Sequence, residues 1–379
     1  MMRARTDIPA LPAALLLCIL SCGAPAQDWD VSGYLKNFAT GGLTLYDEYY
    51  YLVTHRLRVN LEYYPVSEME LRAIVDNQLT WGSYLQTEQY SLSKTLEQQD
   101  YIDLTLDPVD NEYALWQAVV HRLYLRYSGD NIDLTAGRQR IAWGTGRIWN
   151  PTDLFNPNSP LTLEPSERRG SDSVHVAWRP ADDLQLEAAW AIGADRDDAR
   201  WAARGRTCVG SYDLSFMAGR FRGSEVVGFD FSGYVADAGL RGEFTYTWED
   251  ERSYARAVLS YEYTFGNGID LLAEYLYNGG NLGRFTLEDA AALAAYDSII
   301  SINRHFLALL LARELFPLVS GRLLTIVDLE DGSLFAFPMI YYSLAQDVDL
   351  TLGVQLFFGD DGDFSLYSHT ALVALEWYF

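Results

Sequence analysis

The chain has 379 residues, of which 49% are hydrophobic and 14% aromatic, and its 52 acidic against 28 basic side chains give a formal net charge of −24. So acidic a chain lacks the basic footprint of a nucleic-acid-binding protein. Beyond the N-terminus no run approaches the roughly 20 apolar residues of a membrane helix, so the chain is either soluble or crosses a membrane as strands.

Residues 1–26 are predicted to be a secretory signal peptide. Two arginines precede an apolar run that ends at Leu20, and the triplet "APA" at 24–26 is a small-residue cleavage site. A cut before Cys22 is the alternative and would make a lipoprotein. Cys18 and Cys22 belong to this leader, which leaves only Cys208, and one thiol excludes a disulfide framework and a cysteine metal site.

The rest of the chain alternates apolar and polar residues in segments of about ten. In "VTHRLRVNLEYY" one face is apolar, whereas the other carries Arg56, Arg58 and Glu62. This period indicates a β-strand with one wet face. We predict about 18 strands, with 16 as the alternative, at residues 30–39, 52–63, 68–78, 116–127, 131–140, 173–178, 184–191, 199–206, 212–221, 226–235, 239–248, 254–265, 269–277, 300–315, 322–328, 334–344, 348–358 and 366–379. Segment 199–206 is the weakest of these, and it is kept because an even number is needed.

The connections favour a membrane barrel over a soluble sheet, which also has one wet face. Very short turns alternate along the chain with longer loops at 81–113, 138–171 and 278–298. Short turns on one side and long loops on the other are typical of outer-membrane barrels. We therefore predict an all-β fold in which residues 27–379 form one closed antiparallel transmembrane β-barrel, with short periplasmic turns and long extracellular loops.

A barrel of 16 to 18 strands is wide enough for an aqueous lumen. Inward positions carry charges of both signs, which a channel tolerates and a packed core does not. Opposing rows of charge would orient polar solutes during passage; the alternative is that paired charges only keep the lumen hydrated. The predicted pore-lining residues are Arg56, Arg58, Arg72, Arg122, Arg126, Arg138, Arg140, Arg147, Arg241 and Glu243.

The stretch "GRQRIAWGTGRIWNPTDLFNPNSP" at 137–160 begins the second long loop. Its G-x-G is not a nucleotide fingerprint, because a third glycine and a following helix are missing. By position and size, residues 138–171 resemble the inward-folded constriction loop of general porins.

Strict alternation after Leu134 and Ala136 would point Arg138 and Arg140 into lipid, at a cost of roughly 2 to 4 kcal/mol. A bulge or strand end at Gly137 is therefore predicted to turn them into the lumen. Arg147 is expected to point there as well. The loop is expected to be packed by Trp143 and Trp149, and pinned to these arginines by Glu164 and Glu167.

The C-terminal strand ends in "ALEWYF", with Trp377 and Phe379 on one face. This resembles the terminal strand that outer-membrane barrels present to the barrel-assembly machinery. Trp377 and Phe379 are accordingly predicted to be an assembly signal.

Four stretches, "VSGYLKNF", "GRQRIAWGTGRIWNPTDLFNP", "LAQDVDLTLGVQLFFG" and "ALEWYF", resemble porin-like outer-membrane proteins of Gram-negative bacteria. More distantly the chain is similar to alginate-export and substrate-specific porins. The resemblance implies passive diffusion of small polar or charged solutes through an arginine-lined lumen, with outer-membrane lipid and lipopolysaccharide as surroundings. The acidic loop at 81–113 departs from a simple anion channel, which leaves the ion selectivity open.

Two other functions remain as alternatives. One is a non-conducting binding or adhesion barrel. The other is an outer-membrane hydrolase built on Ser368, although the adjacent His369 points to the opposite face of a strand. We predict no catalytic residue, metal or cofactor, and nothing in the sequence marks an oligomer interface.

Overall fold

The computed structural model describes residues 28–379 except 45, 96–101, 157–158, 165–169, 194–198, 222, 251, 285–298, 300, 361 and 366. The predicted signal peptide and Glu167 lie outside the described residues. Among the described residues, no helix is long and apolar enough to span a membrane.

Strand is the dominant secondary structure of the described residues, because alternating apolar and polar residues suit a sheet that is apolar on one face and wet on the other. Two short helical segments, a 3-10 helix at Ser83–Gln86 and α1 at Glu88–Thr95, follow the third strand. The strands are β1 (Trp29–Leu43), β2 (Tyr49–Val66), β3 (Met69–Trp81), β4 (Thr105–Asp110), β5 (Ala114–Ser128), β6 (Ile132–Gln139), β7 (Ser171–Ala181), β8 (Leu184–Ala191), β9 (Arg200–Val209), β10 (Tyr212–Phe221), β11 (Ser224–Val235), β12 (Ala238–Trp248), β13 (Ser253–Thr264), β14 (Ile269–Asn278), β15 (His305–Phe316), β16 (Val319–Asp328), β17 (Leu334–Ala345), β18 (Val348–Phe358) and β19 (Thr370–Tyr378).

These strands close into a barrel because β1 pairs on one side with β2 and on the other with β19, all antiparallel. Strand β3 pairs directly with β5, so β4 is not part of the closed ring. It pairs with the opposite edge of β5, as in Thr105↔Val119, beyond the point where β6 ends. The wall therefore has 18 strands, which confirms the predicted closed antiparallel barrel.

The connections differ sharply between the two ends of the barrel. At one end, called here the short-turn end, every connection has two to four residues, as at 67–68, 129–131 and 265–268. The other end, the long-loop end, carries the connections at 82–113, 140–170, 279–304 and 359–369. This segregation matches the predicted arrangement.

The outer face of the wall is apolar and rich in aromatic side chains. Phe216, Leu259 and Trp190 are half exposed or more, and each alternates with inward-facing neighbours that are buried. So many exposed apolar side chains in one belt would be unfavourable in water, whereas lipid accepts them. The wall is thus built to lie in a membrane.

The predicted bulge at Gly137 is wrong. Strand β6 pairs with β5 and with β7 through Arg138 without any register shift, and the strand continues for two residues after Gly137. Gly137 has φ +122°, and a Cβ on it would lie 2.3 Å from the carbonyl oxygen of Leu123. The glycine is needed because two backbones approach closely; the register shift lies instead at His121 in β5.

Several predicted strand boundaries also differ from the structure. Strand β15 starts at His305, five residues after its predicted start, and β7 extends beyond 173–178 at both ends. Strand β4 was not expected. The weakest prediction, 199–206, is confirmed as β9, which supplies the small inward-facing Ala202 used below.

Candidate channel interior

The loop at 140–170 packs its first residues against the inward face of β8–β10. Small side chains on these strands leave room for two large rings, and Trp143 and Phe155 meet edge to face at 5.4 Å between centroids. The Trp143 ring nitrogen donates to Glu187 of β8 at 3.0 Å. The buried cluster comprises Ile141, Trp143, Phe155, Ala189, Ala191, Ala202 and Met217. This segment of the loop therefore lies inside the barrel.

Glu243 of β12 binds the backbone of the next segment of the loop. Its carboxylate accepts N–H groups of Thr145 at 2.6 Å, Gly146, and Thr152 at 3.0 Å, and also the Thr152 hydroxyl at 2.8 Å. A buried carboxylate is tolerated only when it is well hydrogen-bonded. Glu243 was predicted to line the pore, but the loop covers it and leaves its side chain buried.

Glu274 of β14 has the same role at a position further around the wall. It accepts the backbone N–H groups of Arg147 at 2.9 Å, Ile148 at 3.0 Å and Trp149 at 2.6 Å, together with the hydroxyl of Ser260. It is fully buried. Two glutamates of the wall thus hold six consecutive or nearby amides of one loop.

The G-x-G of this loop is explained by the tight turn between the two glutamates. Gly144 has φ +89°, and a Cβ there would lie 1.9 Å from Asn150 Oδ1 and 2.6 Å from Glu243 Oε1. A Cβ on Gly146 would lie 2.0 Å from the carbonyl oxygen of Trp149. Only glycine allows the backbone to come so close to the wall.

Beyond Glu274 the loop joins an apolar core that fills one side of the bore. Trp149 approaches Phe306 of β15, and Phe335 contacts Phe357 at 5.0 Å between ring centroids. Inward-facing residues of β14–β19 and loop residues share this core: Ile148, Trp149, Leu272, Leu276, Phe306, Ala308, Ile326, Phe335, Phe337, Phe357, Phe364 and Leu372. The bore is therefore packed on this side.

The returning segment of the loop reaches the opposite wall through Glu164. Arg56 Nη1 and Nη2 donate to its two oxygens at 3.2 and 3.1 Å, and Lys36 Nζ lies 2.7 Å away. Burial by itself raises the pKa of Glu164, but the charges and hydrogen bonds of Arg56 and Lys36 outweigh it and hold the pKa below its ordinary value. Glu164 thus ties the loop to β1 and β2.

Below this contact, the inward faces of β2, β3 and β5 carry arginines that are each paired with an acid. Arg58 donates to Asp76 through two bonds of 2.6 Å. Towards the short-turn end, two further pairs are Arg72–Glu62 at 2.8 Å and Arg126–Glu70 at 3.3 Å. The Arg126 side chain is 43% exposed and that of Arg72 33%, against 13% for Arg58.

A smaller charged group lies on the far wall, beneath the loop. Arg147 Nε donates to Glu262 at 2.7 Å, and Arg241 Nε shares the same oxygen at 3.2 Å. Arg147 is 52% exposed. It borders a cavity of about 390 Å³ whose other lining includes Ile148, Glu262, Leu272, Asp270 and Leu310.

The prediction that Arg138 lines the bore is wrong. Its guanidinium donates to Asp172 of β7 at 2.9 and 3.0 Å and to the carbonyl oxygens of Val120 and Ile102. It therefore fills the gap in the wall where β6 ends and is buried there. Arg140, one residue beyond the strand, is exposed, and Arg122 bonds the carbonyl of His121.

The pinning of the loop also differs from the prediction in its partners. Glu164 binds Arg56 and Lys36 rather than the arginines of its own loop. Trp143 and Trp149 do pack the turn, on opposite sides of the two glutamates.

Sequence reasoning missed Glu274 and Lys36. Glu274 is the one charged residue between Leu271 and Tyr277 of β14, a segment that is otherwise apolar on both faces. That isolated acid was the available signal for a functional side chain. Lys36 is a buried residue of β1 and lies on the same face as Phe38.

The remaining predicted residues lie away from the bore or bond elsewhere. The Ser368 hydroxyl donates to the carbonyl of Thr44, and His369 Nδ1 accepts the Phe357 N–H. The Trp377 ring lies 5.8 Å from that of Phe379, whose backbone pairs with Gly33. Their role as an assembly signal stays a prediction.

Comparison with solved structures agrees with this geometry. OccK5 (OpdH) of Pseudomonas aeruginosa matches with a TM-score of 0.57 at 9% identity, over 93% of this chain and 98% of its own. The outer membrane protein OpdK of the same organism matches with a TM-score of 0.57 at 9% identity, over 93% and 99%. OccAB4 of Acinetobacter baumannii matches with a TM-score of 0.53 at 10% identity, over 94% and 100%.

The chain has the fold of an outer-membrane barrel. The resemblance predicted from its sequence is confirmed at that level, because identities near a tenth carry the fold and no more. No protein-family profile matches the chain, and no curated protein matches it in sequence.

Proposed function

We propose that the protein is a porin of the bacterial outer membrane, through which small polar or charged solutes diffuse along one arginine-rich wall. The observation that carries this proposal is the division of the bore. The apolar core around Phe335 and Trp149 fills the side of β14–β19, whereas the side of β2–β5 presents Arg58, Arg72 and Arg126. A polar solute is stabilised by the charged side alone.

The pairing of these arginines supports passage rather than tight binding. Each guanidinium shares its charge with an acid, so an anionic solute gains hydrogen bonds without meeting an uncompensated positive field. Exposure rises from Arg58 to Arg126, toward the short-turn end. We infer that this row guides solutes between the loop and the periplasm.

In this proposal, the loop at 140–170, predicted from the sequence as 138–171, is the constriction loop. The loop contacts β8–β10 through Trp143, β12 and β14 through two glutamates, and β1 and β2 through Glu164. A segment anchored on so many sides of the wall narrows the passage and sets its shape. OpdK of Pseudomonas aeruginosa is an outer membrane protein, in agreement with the location that we propose.

The test is single-channel recording of the refolded barrel in a planar bilayer, with ion selectivity read from the reversal potential in a salt gradient. Arg126→Gln and Arg72→Gln should each shift the reversal potential toward cation selectivity, because each leaves its partner carboxylate uncompensated. Arg252→Gln is the matched control, since Arg252 pairs with Glu249 at the long-loop end. Equal shifts in all three variants would contradict the arginine-lined path.

One observation favours a second function, a non-conducting binding barrel. The apolar core inside the bore is packed as tightly as a protein interior, with Phe335 and Leu276 fully buried. A plugged barrel predicts no conductance under any condition. Absence of channels in the wild type would therefore replace the porin proposal by this one.

A further inference from the structure

The loop at 359–369, between β18 and β19, closes over the apolar core at the long-loop end. Its Phe364 ring lies 6.4 Å from Phe306 and 6.2 Å from Phe335, and Tyr367 stacks on Phe357 at 5.1 Å. No charged side chain among these holds the loop. A polar contact to a neighbouring loop is made by Asp363, the residue before Phe364.

That residue, Asp363, ties the loop to a neighbouring one. Its two oxygens accept the backbone N–H groups of Ile302 at 2.8 Å and Asn303 at 3.1 Å. The side chain is buried. Asp363 thus joins the loop at 359–369 to the last described segment of the loop at 279–304.

Asp363 also meets a second buried carboxyl group. Asp328, the last residue of β16, is fully buried, and Asn303 bridges the two carboxyl groups by donating its backbone N–H to Asp363 and its side-chain amide to Asp328. Asp328 accepts the N–H of Glu330 at 2.9 Å and the side-chain amide of Asn303 at 2.8 Å. Asn303 donates to Asp331 as well, at 2.8 Å.

Two neighbouring buried carboxyl groups cannot both be ionised at low cost, so one of them retains a proton unless a cation compensates the charge. The other charged groups around the pair do not replace that proton. Glu330 and Asp331 are acids, and Arg304 uses its Nε for the side chain of Asn281. Within the described parts of the chain, no lysine or arginine forms an ion pair with either carboxyl. Tyr367, on the loop itself, is a neutral phenol.

We propose that Asp363 and Asp328 form a proton-operated latch that holds the loop at 359–369 over the apolar side of the bore. One proton shared by the two carboxyls closes the latch. When it leaves to solvent, two adjacent carboxylates repel each other and Asp363 is released from Asp328. The inference is independent of the solute that the barrel passes.

The direction of the pH response follows from the environment of Asp363. Burial raises its pKa to about 7, and the neighbouring Asp328 acts in the same direction, against the backbone N–H bonds of Ile302 and Asn303. A raised pKa means that the folded loop binds the proton more tightly than the free chain does. The latch is therefore complete below the ordinary carboxyl range and is lost as pH rises through about 7.

The test is hydrogen exchange of the Ile302 and Asn303 amides in the full-length refolded barrel, corrected for the intrinsic pH dependence of exchange. Calcium is removed with a chelator. Protection should be highest below the ordinary carboxyl range, fall as pH rises from there to about 7, and level off above it, because only between these limits does the closed loop hold a proton that the open loop has lost. This readout needs no conduction, so it stands apart from the porin proposal.

Asp363→Asn is the decisive variant, because an amide has no proton to release in this pH range; it keeps an N–H donor for Asp328 and an oxygen for one of the two backbone N–H groups. Its protection should be independent of pH. Asp360→Asn, an exposed acid of the same loop, is the control and should behave as the wild type. If Asp363→Asn does not fold, Asp328→Asn supplies the same neutral donor from the other side.

Three results would overturn the latch. The first is equal protection of the wild type in acid and in alkali, and the second is a wild-type pH response in the folded variants. The third is recovery of protection in alkali on adding millimolar calcium, because a metal ion would then be the group that compensates the two carboxyls.

Discussion

At the scale of single residues, two buried glutamates decide where the loop lies. Backbone N–H groups taken into a protein interior must find acceptors, and those of residues 145–149 bond Glu243 or Glu274 of the wall rather than carbonyls of the loop. Glu243 and Glu274 provide four oxygens at the inner surface of the wall. The cost of burying each charge is offset by the amides that it collects.

Glu274→Gln tests this role, since the change keeps the side-chain shape. One carboxylate oxygen becomes an NH₂ group that faces backbone donors, so the loop should lose about 1 to 3 kcal/mol of docking free energy. Hydrogen exchange of the amides of Arg147, Ile148 and Trp149 measures it, and their protection should drop by about 5- to 150-fold. Glu249→Gln, in an exposed pair with Arg252, is the control; unchanged protection in both variants would show that Glu274 does not hold the loop.

At the scale of elements, the loop enters the bore because three strands leave space for it. Alanines at 189, 191 and 202 face inward from β8 and β9, and Trp143 and Phe155 occupy the volume that larger side chains would fill. The gap in the wall beyond the end of β6 is closed by another strand and one side chain. There β4 pairs with the free edge of β5, and Arg138 bonds the wall across the gap.

Ala188 and Ala189 are neighbours in β8 that face the outside and the inside of the wall, respectively. Ala189→Leu should push Trp143 from its site and destabilise the barrel by about 1 to 3 kcal/mol, because added methylenes overpack a filled core. Ala188→Leu adds the same atoms on the exposed outer face and should leave stability unchanged. The thermal midpoint of the heat-induced shift from folded to unfolded barrel in gel electrophoresis measures both; equal midpoints would refute the inward packing of Trp143.

At the scale of the whole molecule, the loops are tied to the wall by carboxyl groups that respond to pH in opposite directions. The pKa of Glu164 is held below its ordinary value of 4.5 by Arg56 and Lys36. A depressed pKa gives stability that is present above the ordinary value and lost as pH falls through the depressed one. The contact of Glu164 should therefore fail in strong acid, where the latch of Asp363 is closed.

Channel recordings at acid pH check this prediction. Conductance of the wild type should become noisier below pH 4.5, because the returning segment of the loop loses its anchor. Glu164→Gln should show that noise already at neutral pH. Glu249→Gln serves as the control, and a quiet Glu164→Gln channel at neutral pH would mean that Glu164 does not anchor the loop.

The features of the architecture that follow from local pattern could be predicted from the sequence. Strand alternation, as in β2, needs only neighbouring residues to assign its two faces, and the weak segment at β9 was recovered by the even count that a closed barrel requires. The arginines of β2, β3 and β5 were assigned inward on the same grounds. Their partners, such as Asp76 for Arg58, follow from cross-strand register.

By itself, then, the sequence determined a closed antiparallel membrane barrel with charged inward-facing positions and long loops at one end. Only the tertiary structure decided what that interior contains. Glu243 and Glu274 meet amides about a hundred residues away, Arg138 closes a gap made by the early end of β6, and Asp363 binds two amides of a neighbouring loop. The physical reason is that periodicity reports which face a residue takes, whereas hydrogen bonding and packing inside a bore depend on which chain segment fills it.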